Sequence, residues 1–454
     1  MLGDEELSTK ADERGSWRVE FEGRAADAQP FSIEIRSGPQ TLRLDDLLVG
    51  DVWICAGQSN MEFPLSRDRD SKDALAAPKR AGIRLFQARY TATGAGGSWK
   101  AATVAGLTRE AFIQGEWTHD SGDARPTMSA VGYYFGRSLH DRLAVPIGLI
   151  DLAAGGTPTE AWIAPGTMAA APASAGLVRT GNWLDNSALG DWCRERAQEN
   201  LCAALEAGDA IPGDQLGPNH AFKPGFMWQA AVEPFTSLPI RGVVWYQGES
   251  NAESPRRVEQ HALLFPMLIE DWRKRWNDPE LPFLFVQLPA MGRPDWPAFR
   301  EQQRQLSLDL DGVGMAVTID VGHPTDVHPR IKQPVGERLA RLAMHVAYGD
   351  VAMHSGPVVV SARRDAQQVR LRFEHAAGGL HTREDADLRG FELIDSAGAA
   401  HTVEARITGE EVLLRIPAGL DPAQARYAWA PVPVCNLIDG KGLPATPFRV
   451  GIGD

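Results

Sequence analysis

Between residues 50 and 350 one alternation recurs: a short, unbroken apolar run, then a stretch with helical spacing. The runs are 51–56 (DVWICA), 83–88 (IRLFQA), 147–152 (IGLIDL), 241–247 (RGVVWYQ), 283–288 (FLFVQL) and 314–320 (GMAVTID). They are too short for core helices, and they lack the polar alternation of a strand with one wet face. Rich in Val, Ile and Leu, they read as strands buried on both faces. Between them, 129–143 sets Val131, Tyr134, Phe135, Leu139 and Leu143 near one helical face. Segments 265–276, 299–310 and 333–348 are also amphipathic, the last through Val335, Leu339, Leu342, Ala343 and Val346. Strands alternating with helices predict a parallel sheet covered on both sides. Such sheets bind ligands at the carboxyl ends of their strands.

The ends of the chain read differently. From residue 351 to 454, runs such as PVVVSA, QVRLRFE, FELIDSAG and EVLLRIPAG are separated by turn residues and have little helical period, which predicts an antiparallel β-sandwich. Residues 1–50 contain similar stretches (WRVEF, FSIEIR, TLRLDDL) and are expected to pair with that C-terminal β-domain. The organisation expected is thus 1–50 N-terminal strands, 51–350 an α/β catalytic domain and 351–454 an accessory β-domain.

Composition removes several function classes. A net charge of −13 speaks against a nucleic-acid partner, which needs a basic face. No apolar run reaches the length of a membrane span, and the acidic, polar start of the chain has no leader-like apolar stretch. This fits a cytoplasmic protein or the mature form of a secreted one. The four cysteines (Cys55, Cys193, Cys202, Cys435) lack CxxC spacing and read mainly as small buried hydrophobes, a Cys193–Cys202 disulfide being the lesser reading. No metal-ligand spacing stands out, and no cofactor is expected.

Following each strand off its carboxyl tip collects a reactive set. Gly57-Gln58-Ser59-Asn60 follows the first strand and Gly155-Gly156-Thr157 the third. Gln247-Gly248-Glu249-Ser250-Asn251 and a loop with His323, Asp326 and His328 follow the fourth and the sixth. Any one of these is ordinarily just a turn. Together they supply an acyl-transfer site: a serine nucleophile, an imidazole base, a carboxylate to orient it, and amide donors for an oxyanion. The G-x-S-x-G elbow, H-E-x-x-H, P-loop and G-x-G-x-x-G patterns are absent from the sequence.

The blocks GDVWICAGQSNMEF, GGTPTEAW, VVWYQGESNA and DVHPRIKQPVGERLA resemble the sialate O-acetylesterase family of the SGNH hydrolase superfamily, as does the C-terminal RYAWAPVPVCNLIDGKGLPATPFR. The resemblance covers nearly the whole chain. It implies an SGNH (flavodoxin-like) three-layer α/β fold, a parallel sheet with an accessory antiparallel β-sandwich. It also implies Ser59 as nucleophile and His328 as base. The oxyanion donors would be the N–H groups of Ser59 and Gly155, with Gly156 as alternative register, and the Gln247 amide where the wider superfamily has asparagine. Gln58, Asn60 and Glu249 would support the site. Two departures matter. The superfamily commonly has Asp three residues before this histidine, where this chain has Thr325. Asp326, two before, is the expected third member because i and i+2 share a side in an extended segment. Asp320 is the reserve, a Ser–His dyad the alternative, and His323 the lesser choice of base. Residues 1–50 are also too few for the larger N-terminal β-domain of fuller members.

The function implied is removal of O-acetyl groups from sugars, most of all sialic acid, through an acetyl-serine. Acetylxylan or another plant polysaccharide is the alternative substrate, and a silent carbohydrate-binding protein the alternative of another class. A sialate carboxylate calls for a cation, and Arg89, Arg293 and Arg300 stand near expected loops or helix starts. Trp53, Trp99, Trp117, Trp162, Trp228 and Trp245 are the candidates for sugar stacking. The oligomeric state is open.

Overall fold

All six apolar runs lie side by side in one sheet. The computed structural model describes residues 5–13, 15–352 and 354–453. In chain order the sheet's strands are β1 (Asp51–Gly57), β2 (Ile83–Gln87), β3 (Trp117–His119), β4 (Ile147–Asp151), β5 (Gly242–Tyr246), β6 (Phe283–Val286) and β7 (Val313–Ala316). Their order across the sheet is β7-β6-β5-β1-β4-β2-β3. The six expected strands run parallel, and β3 closes one edge antiparallel to β2. With three residues, β3 is too short to show a period, so pattern reading passes over it.

The strands are buried on both faces and alternate between two cores. Ile54, Ala56, Trp245 and Phe285 join one, while Trp53, Cys55, Val244, Tyr246 and Leu284 join the other. Against the second face pack helices α1 (Ala130–Leu143), through Val131, Phe135 and Leu139, and α5 (Gln333–Val346), through Val335, Leu339 and Leu342. The first face is covered by α2 (Asp191–Ala207) and by Phe265, Leu268 and Trp272 of α3 (Pro255–Trp276). Between β6 and β7 runs α4 (Trp296–Asp309).

The topology fixes where a ligand goes. From β1 the chain builds one side of the sheet (β2 to β4), and from β5 it builds the other. The connections leaving β1 and β5 diverge, which opens a crevice beyond their carboxyl ends.

The C-terminal residues form two four-stranded antiparallel sheets. One has the order 358–365, 368–374, 411–415, 405–408, and the other 400–402, 391–395, 422–427, 448–451. Their inner faces meet at aromatic contacts such as Phe373–Phe448, with ring centroids 6.0 Å apart. Buried Arg300 of α4 ties them to the α/β layers by donating to the carbonyls of Pro289, Ala430 and Pro431.

The N-terminal strands depart from expectation. Asp27–Ser37 and Gln40–Val49 form a hairpin that pairs within itself, not with the C-terminal sheets. WRVEF, at 17–21, forms no strand. A self-paired hairpin satisfies its backbone donors through one tight turn, without closing a loop across the whole chain. Asp46 fastens it to the α/β layer by an ion pair to Arg84 and a 3.1 Å contact with the His119 imidazole. All four cysteines are free thiols, so the Cys193–Cys202 disulfide is not formed. Among the described residues no helix is long and apolar enough to cross a membrane.

Candidate active site

β1 ends at Gly57, whose φ is +127°. A Cβ there would stand 2.2 Å from the Tyr246 carbonyl oxygen on β5, so only glycine fits this exit. Gln58 N–H donates to that same carbonyl at 3.0 Å, and the chain turns into a single helical turn, Ser59–Glu62. Ser59 is thereby set at the floor of a cavity of about 430 Å³ whose lining includes Gly155, Gly156, Trp192, Arg293 and His328. His328 arrives from the loop after β7, and its Nε2 lies 2.7 Å from Ser59 Oγ. Burial holds the imidazole below its ordinary pKa; the Lys332 ammonium and Arg67 push the same way, and Asp326 opposes them. A depressed pKa keeps the ring neutral near pH 7, as a general base must be.

The carboxylate meant to orient that ring does otherwise. Asp326 Oδ1 accepts the backbone N–H of His328 at 2.9 Å, and among the described residues no hydrogen bond joins it to the imidazole. The segment is not extended, which is why the i, i+2 argument fails. His323 Nδ1 accepts the N–H groups of Thr325 and Asp326, so the chain is curled into a turn that Asp326 caps. The charge of Asp326 nonetheless favours the imidazolium. The reserve, Asp320, is committed to Arg338 and Arg383 at 2.7 and 3.0 Å. His323 is an exposed turn cap that holds no proton of Ser59.

The expected amide donors divide. A Cβ on Gly155 would lie 3.7 Å from Ser59 Cβ and 2.8 Å from Glu62 Oε2, so this glycine borders both Ser59 and a carboxyl that sequence reading missed. Burial pushes the Glu62 pKa up, and a hydrogen bond from the Gly155 amide partly offsets the rise. Glu62 is three residues after Ser59 on one helical turn, the spacing that could have flagged it. Gly156, at φ +79°, offers its carbonyl to the Ser250 hydroxyl at 3.0 Å. Gln247 does not face the cavity. Its Nε2 donates to Asn251 Oδ1 at 2.6 Å and to the Thr157 carbonyl at 3.3 Å, and its Oε1 accepts from the Thr159 hydroxyl at 2.8 Å. Both amide hydrogens and the carbonyl oxygen of Gln247 are thus engaged within the loops, whereas the resemblance implied a donor to an oxyanion.

The supporting residues lock the loops together. Gln58 Oε1 accepts from the N–H groups of Gly248 and Ser250. Asn60 Nδ2 donates to Glu249 Oε1 at 2.5 Å and to the Val327 carbonyl at 2.8 Å. Glu160 of the glycine block pairs with buried Arg257 at 2.7 Å and accepts from Asn251.

Of the candidate arginines, only Arg293 faces the cavity; Arg300 is buried among carbonyls and Arg89 lies 3.8 Å from Glu116. The stacking candidates fare worse. Trp53, Trp162, Trp228 and Trp245 are core residues, half-buried Trp99 stacks on His220, and Trp117 is on the edge strand β3. The tryptophan at the cavity is Trp192, exposed on α2 and hidden from sequence reading by an ordinary amphipathic helix.

These features place the chain in the class of carbohydrate esterases. A family model described as carbohydrate esterase, sialic acid-specific acetylesterase matches residues 224–345. The sialate O-acetylesterase of Rattus norvegicus is 32% identical over 91% of this chain and 79% of its own length. That of Mus musculus is 31% identical over 68% of this chain. The crystal structure of a carbohydrate acetylesterase from Xanthomonas citri superposes with a TM-score of 0.81 at 30% identity, covering 99% of this chain and 92% of that one. The chain belongs to the sialate O-acetylesterase family, and it spans 59% of the mouse protein's length.

Proposed function

We propose that this chain is a serine carbohydrate O-acetylesterase acting on O-acetylated sialic acid, with residues 51–350 an SGNH-type catalytic domain and 351–454 an accessory β-domain. The observation that carries the reading is the 2.7 Å contact between His328 Nε2 and Ser59 Oγ at the floor of the crevice. Ser59 attacks the acetyl carbonyl as His328 takes its proton. The oxyanion is received by the backbone N–H groups of Ser59 and Gly155; the Gly155 N–H, which here donates to the Glu62 carboxyl, exchanges that partner for the oxyanion. His328 returns the proton to the departing sugar hydroxyl, and water brought in on the same imidazole frees acetate. Asp326 assists through its charge, so the working unit is a Ser59–His328 dyad with an electrostatic third member. Arg293, in no ion pair among the described residues, is the cation for the sugar carboxylate.

Ser59→Ala tests this. Turnover of 9-O-acetyl sialic acid is expected to fall by about 10⁴ or more while the circular dichroism spectrum and melting curve stay unchanged. Wild-type turnover by the folded variant ends the proposal. Acetylated xylo-oligosaccharide run beside it separates the sugars: a higher kcat/KM on that substrate reassigns the enzyme to neutral polysaccharide.

A further inference from the structure

Beneath the catalytic pair lies a buried polar chain that the reaction above does not use. Lys332 precedes α5 and is 1% exposed. Its ammonium donates to Asn60 Oδ1 and stands 4.8 Å from the centre of the Phe63 ring and 5.4 Å from that of Tyr246. Its backbone N–H donates to Asp68 at 2.8 Å. Asn60, wholly buried beside Ser59, uses its other end on Glu249 and on the carbonyl of Val327, the residue before His328. One lysine thus braces three loops: the nucleophile turn, the loop after β5 and the histidine loop. A charge buried in this way is costly unless it is paired and hydrogen-bonded.

We propose that Lys332 is a positioning residue for the Ser59–His328 pair, holding the nucleophile turn and the histidine loop together through Asn60 with its charge buried between them. The groups facing His328 are Lys332, Arg67 and Asp326; those facing Lys332 are Glu249, Asp68 and Asp326. Lys332 itself is brought down to about 7, chiefly by burial, so it still carries its proton over the acidic range in which the imidazole titrates. Removing a cation from beside a base raises the pKa of that base. The proposal rests on the Ser59–His328 reading, whose failure is seen separately in Ser59→Ala.

The experiment is the pH profile of kcat/KM on p-nitrophenyl acetate for the full chain, with Lys332→Met and Lys332→Arg beside the wild type. Lys332→Met is expected to move the acid limb upward by roughly half a unit to one unit and to lower kcat. Lys332→Arg, which keeps the charge, is expected to return the limb toward the wild-type position. A merely structural lysine would lower activity at every pH and leave the limb in place. An unmoved limb in folded Lys332→Met overturns the proposal, as does an equal shift in Lys332→Arg. Should Lys332→Met fail to fold, Lys332→Gln is read in the same way, and the pH dependence of Ser59 labelling by a fluorophosphonate supplies the same limb without turnover.

Discussion

Replacing Gln247 by Met separates two roles that a resemblance and a geometry assign differently. The side chain is 1% exposed and makes three polar contacts, at 2.6, 2.8 and 3.3 Å. Methionine keeps its length and volume, so the cavity cost is small. The two short contacts contribute about 1 kcal/mol each, and the long one much less. Two of the three partners are not left bare. Asn251 Oδ1 retains the Thr159 N–H at 3.0 Å, and the Thr159 hydroxyl can turn to that same oxygen at 3.2 Å. The expected loss of stability is therefore about 2 kcal/mol, to which the buried Thr157 carbonyl, losing its 3.3 Å donor, adds a further cost of about 1 kcal/mol. Because the amide is engaged by Asn251, Thr157 and Thr159, kcat on p-nitrophenyl acetate is expected to stay within about threefold of wild type, well short of the penalty for a lost oxyanion donor. Urea unfolding with parallel kinetics reads both quantities. A fall in kcat of about 10²–10³ with an unchanged unfolding midpoint would show that Gln247 swings in as a donor during turnover, and the scaffold reading would be wrong.

Two other substitutions probe recognition and packing. Arg293→Gln is expected to lower the ratio of kcat/KM for an acetylated acidic sugar to that for an acetylated neutral sugar by about tenfold, the worth of one charge-assisted contact of about 1.4 kcal/mol; a ratio that does not change removes Arg293 from sugar recognition. Arg257→Met leaves Glu160 a lone charge in a site where both partners are 1% exposed or less, at an expected cost of about 3–5 kcal/mol in urea unfolding. Removing the charge as well, in Glu160→Gln with Arg257→Met, is expected to recover part of that loss; no recovery argues that the damage is steric.

What could be read from the sequence was what depends on neighbours along the chain. The six parallel strands declared themselves because burial on both faces leaves a continuous apolar run, and Ser59 and His328 because each follows such a run. The remaining features are set by which loops meet in space. Gln247 has the chemistry of a donor; that it spends its amide on Asn251 and Thr157 follows from the docking of the loop after β5 against the loop after β4. Asp326 has the right charge at a plausible spacing, but His323 Nδ1 curls the segment and turns the carboxylate to a backbone N–H. The N-terminal hairpin alternates like a sandwich strand pair, and a local turn satisfies it before any distant edge can. Lys332 shows the limit most sharply. A lysine just ahead of an amphipathic helix is ordinary in sequence, and solvent is its expected place. Three loops closing over it turn an ordinary charge into a buried one, tied through Asn60 to the loop that carries His328. The reactive groups of this site are thus written locally, and the groups that tune them are written by the topology that brings the strand ends together.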